Sequence, residues 1–208
     1  MKFSVIIPSR LEPYPSSAKD KERKLIRAVN SVLSQSFDDF EVHVIGDGCK
    51  KTVDIIQDNI NDSRVYLWNI TRQKLWSGGP RNKGIDESAG EFIIYLDIDD
   101  VYGPDHLKIV NEGLNGYDWV WFNDIRYKPK LDIWYENQCN IRVRSKHGTS
   151  NICHKVSLGL HWQEEGKYAH DYLFVQKLLP FTNHIKIRTP EYYVAHIPGT
   201  GNNGGYDL

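Results

Sequence analysis

The chain has 208 residues, enough to bury one sizeable core, and is expected to form a single α/β unit. Its formal net charge of −1 and pI near 6.7 exclude a general basic field for nucleic acid. No apolar run reaches the roughly 20 residues needed to span a bilayer, and the N-terminus lacks the basic and apolar regions of a signal peptide. Cys49, Cys139 and Cys153 are widely spaced and in no CxxC pairing, which argues against a disulfide framework or a zinc cage and for a soluble protein of the reducing cytoplasm.

Residues 3–7 read as an apolar strand that Pro8 should stop, followed by the Pro- and Ser-rich loop SRLEPYPSS. Residues 19–35 carry Leu25, Ile26, Val29, Val32 and Leu33 at helical spacing, with basic residues on a face taken as solvated. Residues 40–45 give a second strand, turned beyond its end by Gly46-Asp47-Gly48. Val53, Ile56 and Ile60 mark a short helix, and residues 65–68 a third strand. The segment WSGGPRNKG, residues 76–84, opens a helix: Pro80 suits its first turn, and Arg81, Asn82 and Lys83 put cations at an N-terminus that favours anions. It lacks the lysine–serine/threonine ending of a P-loop.

Residues 92–96, FIIYL, predict a strand buried on both faces in the middle of a parallel sheet, and Asp97, Asp99 and Asp100 follow at once. Carboxylates are costly to bury and repel one another, so something positive belongs there. If the chain is still extended, Asp97 and Asp99 share one side and Asp100 faces the other. Hard oxygen ligands of this kind favour Mg²⁺ or Mn²⁺; the plain alternative is an acidic turn that caps the next helix.

Pro104, Leu107, Val110 and Leu114 read as that helix, and residues 117–122 as another strand. The repeated alternation predicts a doubly wound α/β sheet, on which ligands bind beyond the carboxyl ends of the strands, where Ser9, Asp47 and the acidic cluster lie. Residues 125–144 alternate loosely, as in a hairpin. Residues 146–165 look like loop, and their histidines, His147, His154 and His161, lack a metal-ligand spacing. His170-Asp171 opens a helix that Pro180 stops, residues 185–187 and 192–195 are short strands, and the glycine-rich residues 197–208 predict a mobile tail.

Taken together, SVIIPSR, IGDGC, GGPRNKGIDESAGEFIIYLDIDD and AHDYLF resemble, in order, the first strand, DDGS turn, ARNxG helix with DxD motif, and ED motif of family 2 glycosyltransferases of the GT-A type. Gly46 replaces the first acid of the DDGS turn, and His170 the acid before the catalytic Asp. The resemblance implies a GT-A fold: a Rossmann-like, mostly parallel sheet flanked by helices, with a smaller irregular acceptor-side part. It divides the chain into a nucleotide-sugar half (1–100), an acceptor half (101–196) and the tail. It implies a UDP-type donor gripped by Pro8, Ser9, Arg10, Asp47, Arg81, Asp97 and Ile98, and Mn²⁺ or Mg²⁺ held by Asp97, Asp99 and His196. Asp171 is the implied general base, with His170 expected to point elsewhere around the helix. Size and lack of a membrane helix also resemble small soluble glycosyltransferase domains of large DNA viruses, which can be parts of longer polypeptides and would make rhamnose a candidate donor sugar.

Two other functions fit parts of the pattern. A sugar nucleotidyltransferase can share the fold and metal but needs a glycine-rich phosphate loop after the first strand, where SRLEPYPSS has none. A non-catalytic carbohydrate-binding protein would tolerate His170 but has no reason to keep Asp97, Asp99 and Asp171 together.

Overall fold

Strict alternation along the buried strands sends side chains to two separate cores. Val5 and Ile7 join Leu25, Val29, Ile56, Leu107 and Val110 on one face of the sheet, whereas Ile6, Ile93 and Tyr95 join Ile85, Trp162 and Phe174 on the other. The architecture is that of a computed structural model, which describes residues 1–13, 17–73, 77–128, 131–163 and 169–195. His196 and the expected tail lie outside the described residues.

The strands are β1 (Phe3–Ser9), β2 (Phe40–Asp47), β3 (Val65–Ile70), β4 (Phe92–Tyr95), β5 (Val101–Tyr102), β6 (Trp119–Trp121), β7 (Asp124–Lys128), β8 (Ile133–Asn137), β9 (Ile152–Lys155), β10 (His184–Lys186) and β11 (Tyr192–Val194). The helices are α1 (Lys21–Leu33), α2 (Lys50–Asn59), α3 (Gly78–Asp86), α4 (His106–Leu114) and α5 (His170–Leu178). Among the described residues a seven-stranded sheet has the order β10-β6-β9-β4-β1-β2-β3, and a four-stranded sheet the order β5-β11-β7-β8. β4, β1, β2 and β3 run parallel, which sets their carboxyl ends side by side.

Three expectations change. The first strand does not stop at Pro8 but runs through it to Ser9, because β4 pairs with β1 only as far as Tyr95↔Ile6. Pro8 therefore lacks an N–H only where that side of β1 has no ladder left to donate to. Residues 152–155, read as loop, form β9, which runs antiparallel to both β4 and β6. Its polar His154 and Lys155 hide the strand signature, and burial comes from the neighbours: the Tyr95 hydroxyl lies 2.8 Å from His154 Nε2. The basic face of α1 is not wholly solvated either. Lys24 is buried, and Lys21 is buried with its Nζ donating to the carbonyls of Arg10 (3.3 Å) and Glu12 (2.7 Å).

α3 lies directly on β1, and glycine makes the approach possible. A Cβ on Gly84 would come within 2.7 Å of the Ile6 side chain.

Candidate active site

β4 ends in a turn. The N–H of Asp100 donates to the carbonyl of Asp97 at 3.1 Å, so the chain is not extended there and strand alternation does not align Asp97 with Asp99. Asp97 turns to α3, where it meets Arg81 Nη2 at 2.9 Å; its side chain is 41% exposed, that of Arg81 only 2%. On the other side, Arg27 of α1 donates to the Asp99 carbonyl at 2.9 Å, and the Asp99 charge acts on Lys21. Asp100 is a tether: one oxygen accepts from the Tyr192 hydroxyl and the other from the Ala195 N–H, both at 3.0 Å. Tyr192 also accepts from the Asp97 N–H at 3.2 Å, so β11 is fastened to the acidic turn.

Burial pushes the Asp100 carboxyl well above the usual carboxylate range, and the charges of Asp99 and Asp97 push it further. A cation beside Asp97 and Asp99 would relieve that repulsion. Among the described residues no group of three His, Cys, Asp or Glu side chains could hold a metal. Two carboxylates on one turn, one of them open to solvent, suit a Mg²⁺ or Mn²⁺ ion that completes its coordination with substrate phosphates.

The opposite wall is built around Trp162. Its indole stacks on Phe174 of α5 with centroids 4.0 Å apart and planes at 4°, and its Nε1 donates to the Tyr95 hydroxyl at 3.0 Å. Asn82 of α3 pins its backbone twice, donating to its carbonyl at 3.0 Å and accepting from its N–H at 2.7 Å. The Arg81 guanidinium lies 4.9 Å from the centre of the indole ring, a cation–π contact in a dry site. α3 thus presents a covered, paired cation rather than a free one.

Arg81 reaches further, to His170 Nε2 at 3.4 Å. That nitrogen is 2.8 Å from Asp171 Oδ1, so His170 does not point elsewhere around α5 as expected. A guanidinium N–H can only donate, so the Arg81 contact takes a neutral Nε2 as acceptor and the Asp171 contact a protonated ring; the two are alternatives. Thr149 donates to the same oxygen at 2.9 Å. Burial raises the Asp171 carboxyl, but the His170 bond and charge, Arg81 and the Thr149 hydroxyl outweigh it, and its pKa falls below the ordinary value. Ala169, just before α5, has φ 87°, a left-handed conformation that alanine rarely adopts and that sets the direction in which the helix starts.

A family model for glycosyl transferase family 2 matches residues 4–172, from β1 to the residue after Asp171. The chain belongs to that family. The succinoglycan biosynthesis protein ExoO of Rhizobium meliloti is 36% identical over 198 residues, covering 83% of this chain and 57% of its own. The poly(ribitol-phosphate) β-N-acetylglucosaminyltransferase TarS of Staphylococcus aureus is 25% identical over 217 residues, covering 94% of this chain but 35% of its own. This chain therefore spans about a third of the length of several curated relatives it matches. Crystallised S. aureus TarS with UDP-GlcNAc superposes with a TM-score of 0.74 at 22% identity, over 100% of this chain and 62% of that one. The mannosyltransferase PcManGT of Pyrobaculum calidifontis, with GDP-Man and Mn²⁺, gives 0.69 at 15% identity, over 97% and 58%. The shared architecture is the GT-A fold.

In this family 2 domain the residues expected to bind a donor sit at the carboxyl ends of β1, β2 and β4. Ser9 is buried, its hydroxyl 2.8 Å from that of Thr52. Asp47 is buried too and accepts from the Gln73 N–H at 2.7 Å, holding the segment after β3. At Gly46 a Cβ would lie 2.8 Å from Asn69 Oδ1 and 3.1 Å from the Cys49 carbonyl, so a side chain there would require Asn69 to move. Arg10 Nε faces Glu12 at 3.5 Å. Ile98 packs its side chain into the core, which leaves its backbone for any donor contact. A cavity of about 720 Å³ opens between the loop after β1 and α1, lined by Leu11, Pro13, Lys19, Lys21 and Arg23 among others. Sequence reading overlooked Thr149, Trp162 as an anchor and the tethering role of Asp100. A lone Thr or Trp carries no spacing signal, and Asp100 looks like its acidic neighbours until β11 is seen beside it.

Proposed function

We propose that this domain transfers a sugar from a nucleotide diphosphate, most simply a UDP-sugar, to a hydroxyl of a glycan acceptor with inversion at the anomeric carbon. One observation carries the reading. The acidic turn and the candidate base share a single cation, with Arg81 paired to Asp97 on one side and facing the His170–Asp171 pair on the other. In this reading, one guanidinium holds donor and acceptor machinery in register. TarS crystallised with UDP-GlcNAc and PcManGT with GDP-Man and Mn²⁺ support the donor class and the metal.

Asp171 takes the proton of the acceptor hydroxyl as its oxygen attacks the anomeric carbon, and the bond to the diphosphate breaks on the opposite side. No covalent intermediate is needed, so no nucleophilic side chain is assigned. Asp97 and Asp99, with His196, would hold Mn²⁺ or Mg²⁺, which supplies charge to the departing diphosphate. Arg81 adds a fixed positive charge beside the Asp97 carboxylate. Residues 1–100 form the donor half in this reading and residues 101–196 the acceptor half. The free, buried Cys49, Cys139 and Cys153 fit a reducing cytoplasm.

Incubation with Mn²⁺ and a panel of nucleotide sugars tests the proposal, with nucleotide release by slow hydrolysis as the signal. The panel includes nucleotide-rhamnose, the donor that the viral resemblance brings in. Metal-stimulated release from at least one UDP-sugar is expected. Binding of every donor without release, with or without metal, would favour a non-catalytic carbohydrate-binding protein.

A further inference from the structure

Asp171 has two carboxylate oxygens, and the structure treats them differently. Oδ1 accepts from Thr149 Oγ1 at 2.9 Å and lies 2.8 Å from His170 Nε2, whereas Oδ2 has no hydrogen-bond partner among the described residues. The Asp171 side chain is 27% exposed. A carboxylate gripped at one oxygen cannot rotate freely, and only the other remains open to a substrate.

Thr149 is held as firmly as the residue it grips. It opens a short 3-10 turn (Thr149–Asn151) that continues into β9. Asn151, fully buried, closes this turn by accepting from the Gly148 N–H at 2.7 Å and donates to Asp124 Oδ2 at 3.2 Å. Asp124 is in turn paired with Arg126 at 2.9 Å. A continuous line of bonds thus runs from β7 through the turn to the oxygen of Asp171. Among the described residues, the charged and titratable groups facing Asp171 are His170 on α5, Arg81 from α3 and His147 from the segment ahead of the turn.

We infer that Thr149 is a positioning residue: its hydroxyl occupies Oδ1 of Asp171, beside His170, and so assigns the acceptor proton to Oδ2. The inference rests on the reading of Asp171 as general base. It leaves His170 beside the same oxygen, on the side facing Arg81. It also makes the acceptor half answerable to the small sheet, since a shift of β7 would move Thr149.

The test uses the protein labelled with ¹³C at aspartate Cγ, with the Asp171 signal assigned by its loss in Asp171→Asn. In Thr149→Val, which keeps the shape and removes the hydroxyl, the Asp171 titration should move upward by about one pH unit, the worth of one hydrogen bond to a charged acceptor. Thr149→Ser should restore it. With any donor the unmodified protein turns over, Thr149→Val should lower kcat about tenfold and leave the donor KM unchanged, because orientation and not binding is lost. An Asp171 titration identical in Thr149→Val and the unmodified protein overturns the inference. A moved titration beside an Asp171→Asn variant of full activity keeps the positioning and removes the base assignment instead.

Discussion

At the scale of single residues, the electrostatics of the site follow from which charges share a partner. Asp171 stays ionised because the donors around it outweigh its burial, so it is available as a base at neutral pH. Asp171→Asn should preserve shape and donor binding and lose roughly 10² to 10⁴ in kcat, the usual worth of general-base catalysis. His170→Ala leaves the Thr149 bond to Oδ1 in place and should cost far less; a dead His170→Ala beside an active Asp171→Asn would reverse the two roles. Asp99→Ala separates the metal from the fold. Arg27 donates to the Asp99 carbonyl, a bond the substitution keeps, so the turn should survive while Mn²⁺-dependent UDP binding and turnover disappear. Calorimetry of UDP binding with and without Mn²⁺ checks this, and undiminished turnover would remove Asp99 from the metal site.

At the scale of elements, α3, α5 and the segment carrying Trp162 behave as one unit. The indole is 2% exposed, stacks on Phe174, donates to Tyr95 and is pinned by Asn82 from α3. Trp162→Ala removes all but the backbone bonds and should destabilise the protein by about 3–5 kcal/mol, as for other buried aromatic truncations. It also uncovers Arg81, so residual transfer activity should become more sensitive to salt. Urea titration gives the first effect and kcat/KM against ionic strength the second; a loss under about 1 kcal/mol would mean that Trp162 is not an anchor. β11 is an element of the same kind. It belongs to the small sheet through β5 and β7, yet Tyr192 and Ala195 bind the acidic turn of the large one.

At the scale of the whole molecule, stability should depend on pH through histidines buried in the neutral form. Burial lowers the His106 ring to about 3, with both ring nitrogens lacking a hydrogen-bond partner and the ring stacked 3.8 Å from that of Tyr102. Burial likewise lowers His154 to about 4; its Nε2 accepts from Tyr95 while Nδ1 donates to the Lys155 carbonyl at 3.1 Å. Both pKa values lie below the unfolded value of 6.5, so the unfolded chain binds more protons over this window. The stabilisation is fully present above about pH 6.5 and is lost progressively as pH falls towards 4 and 3. His106→Phe keeps the stack and removes two unpartnered nitrogens. It should raise stability by about 1 kcal/mol at neutral pH and flatten the decline in acid. Melting temperatures from pH 4 to 8 check both, and an unchanged slope would mean that His106 is not buried neutral.

Much of this protein was written locally. The apolar runs of β1, β2 and β4, the amphipathic faces of α1 and α4 and the acid-ended strand are all short-range patterns, because burial on a sheet or helix face imposes a period on the sequence. Those patterns, together with the order of the four motifs, were enough for the fold class and for the candidate residues. Tertiary structure alone decided what each candidate touches. β9 is a strand only because β4 and β6 flank it, Pro8 extends β1 only because β4 ends beside it, and Asp100 is a tether only because β11 arrives there. Thr149 meets Asp171 across 22 positions of sequence and Arg81 meets His170 across 89. Contacts of that range are set by how finished elements pack, and packing leaves no period in the chain to read.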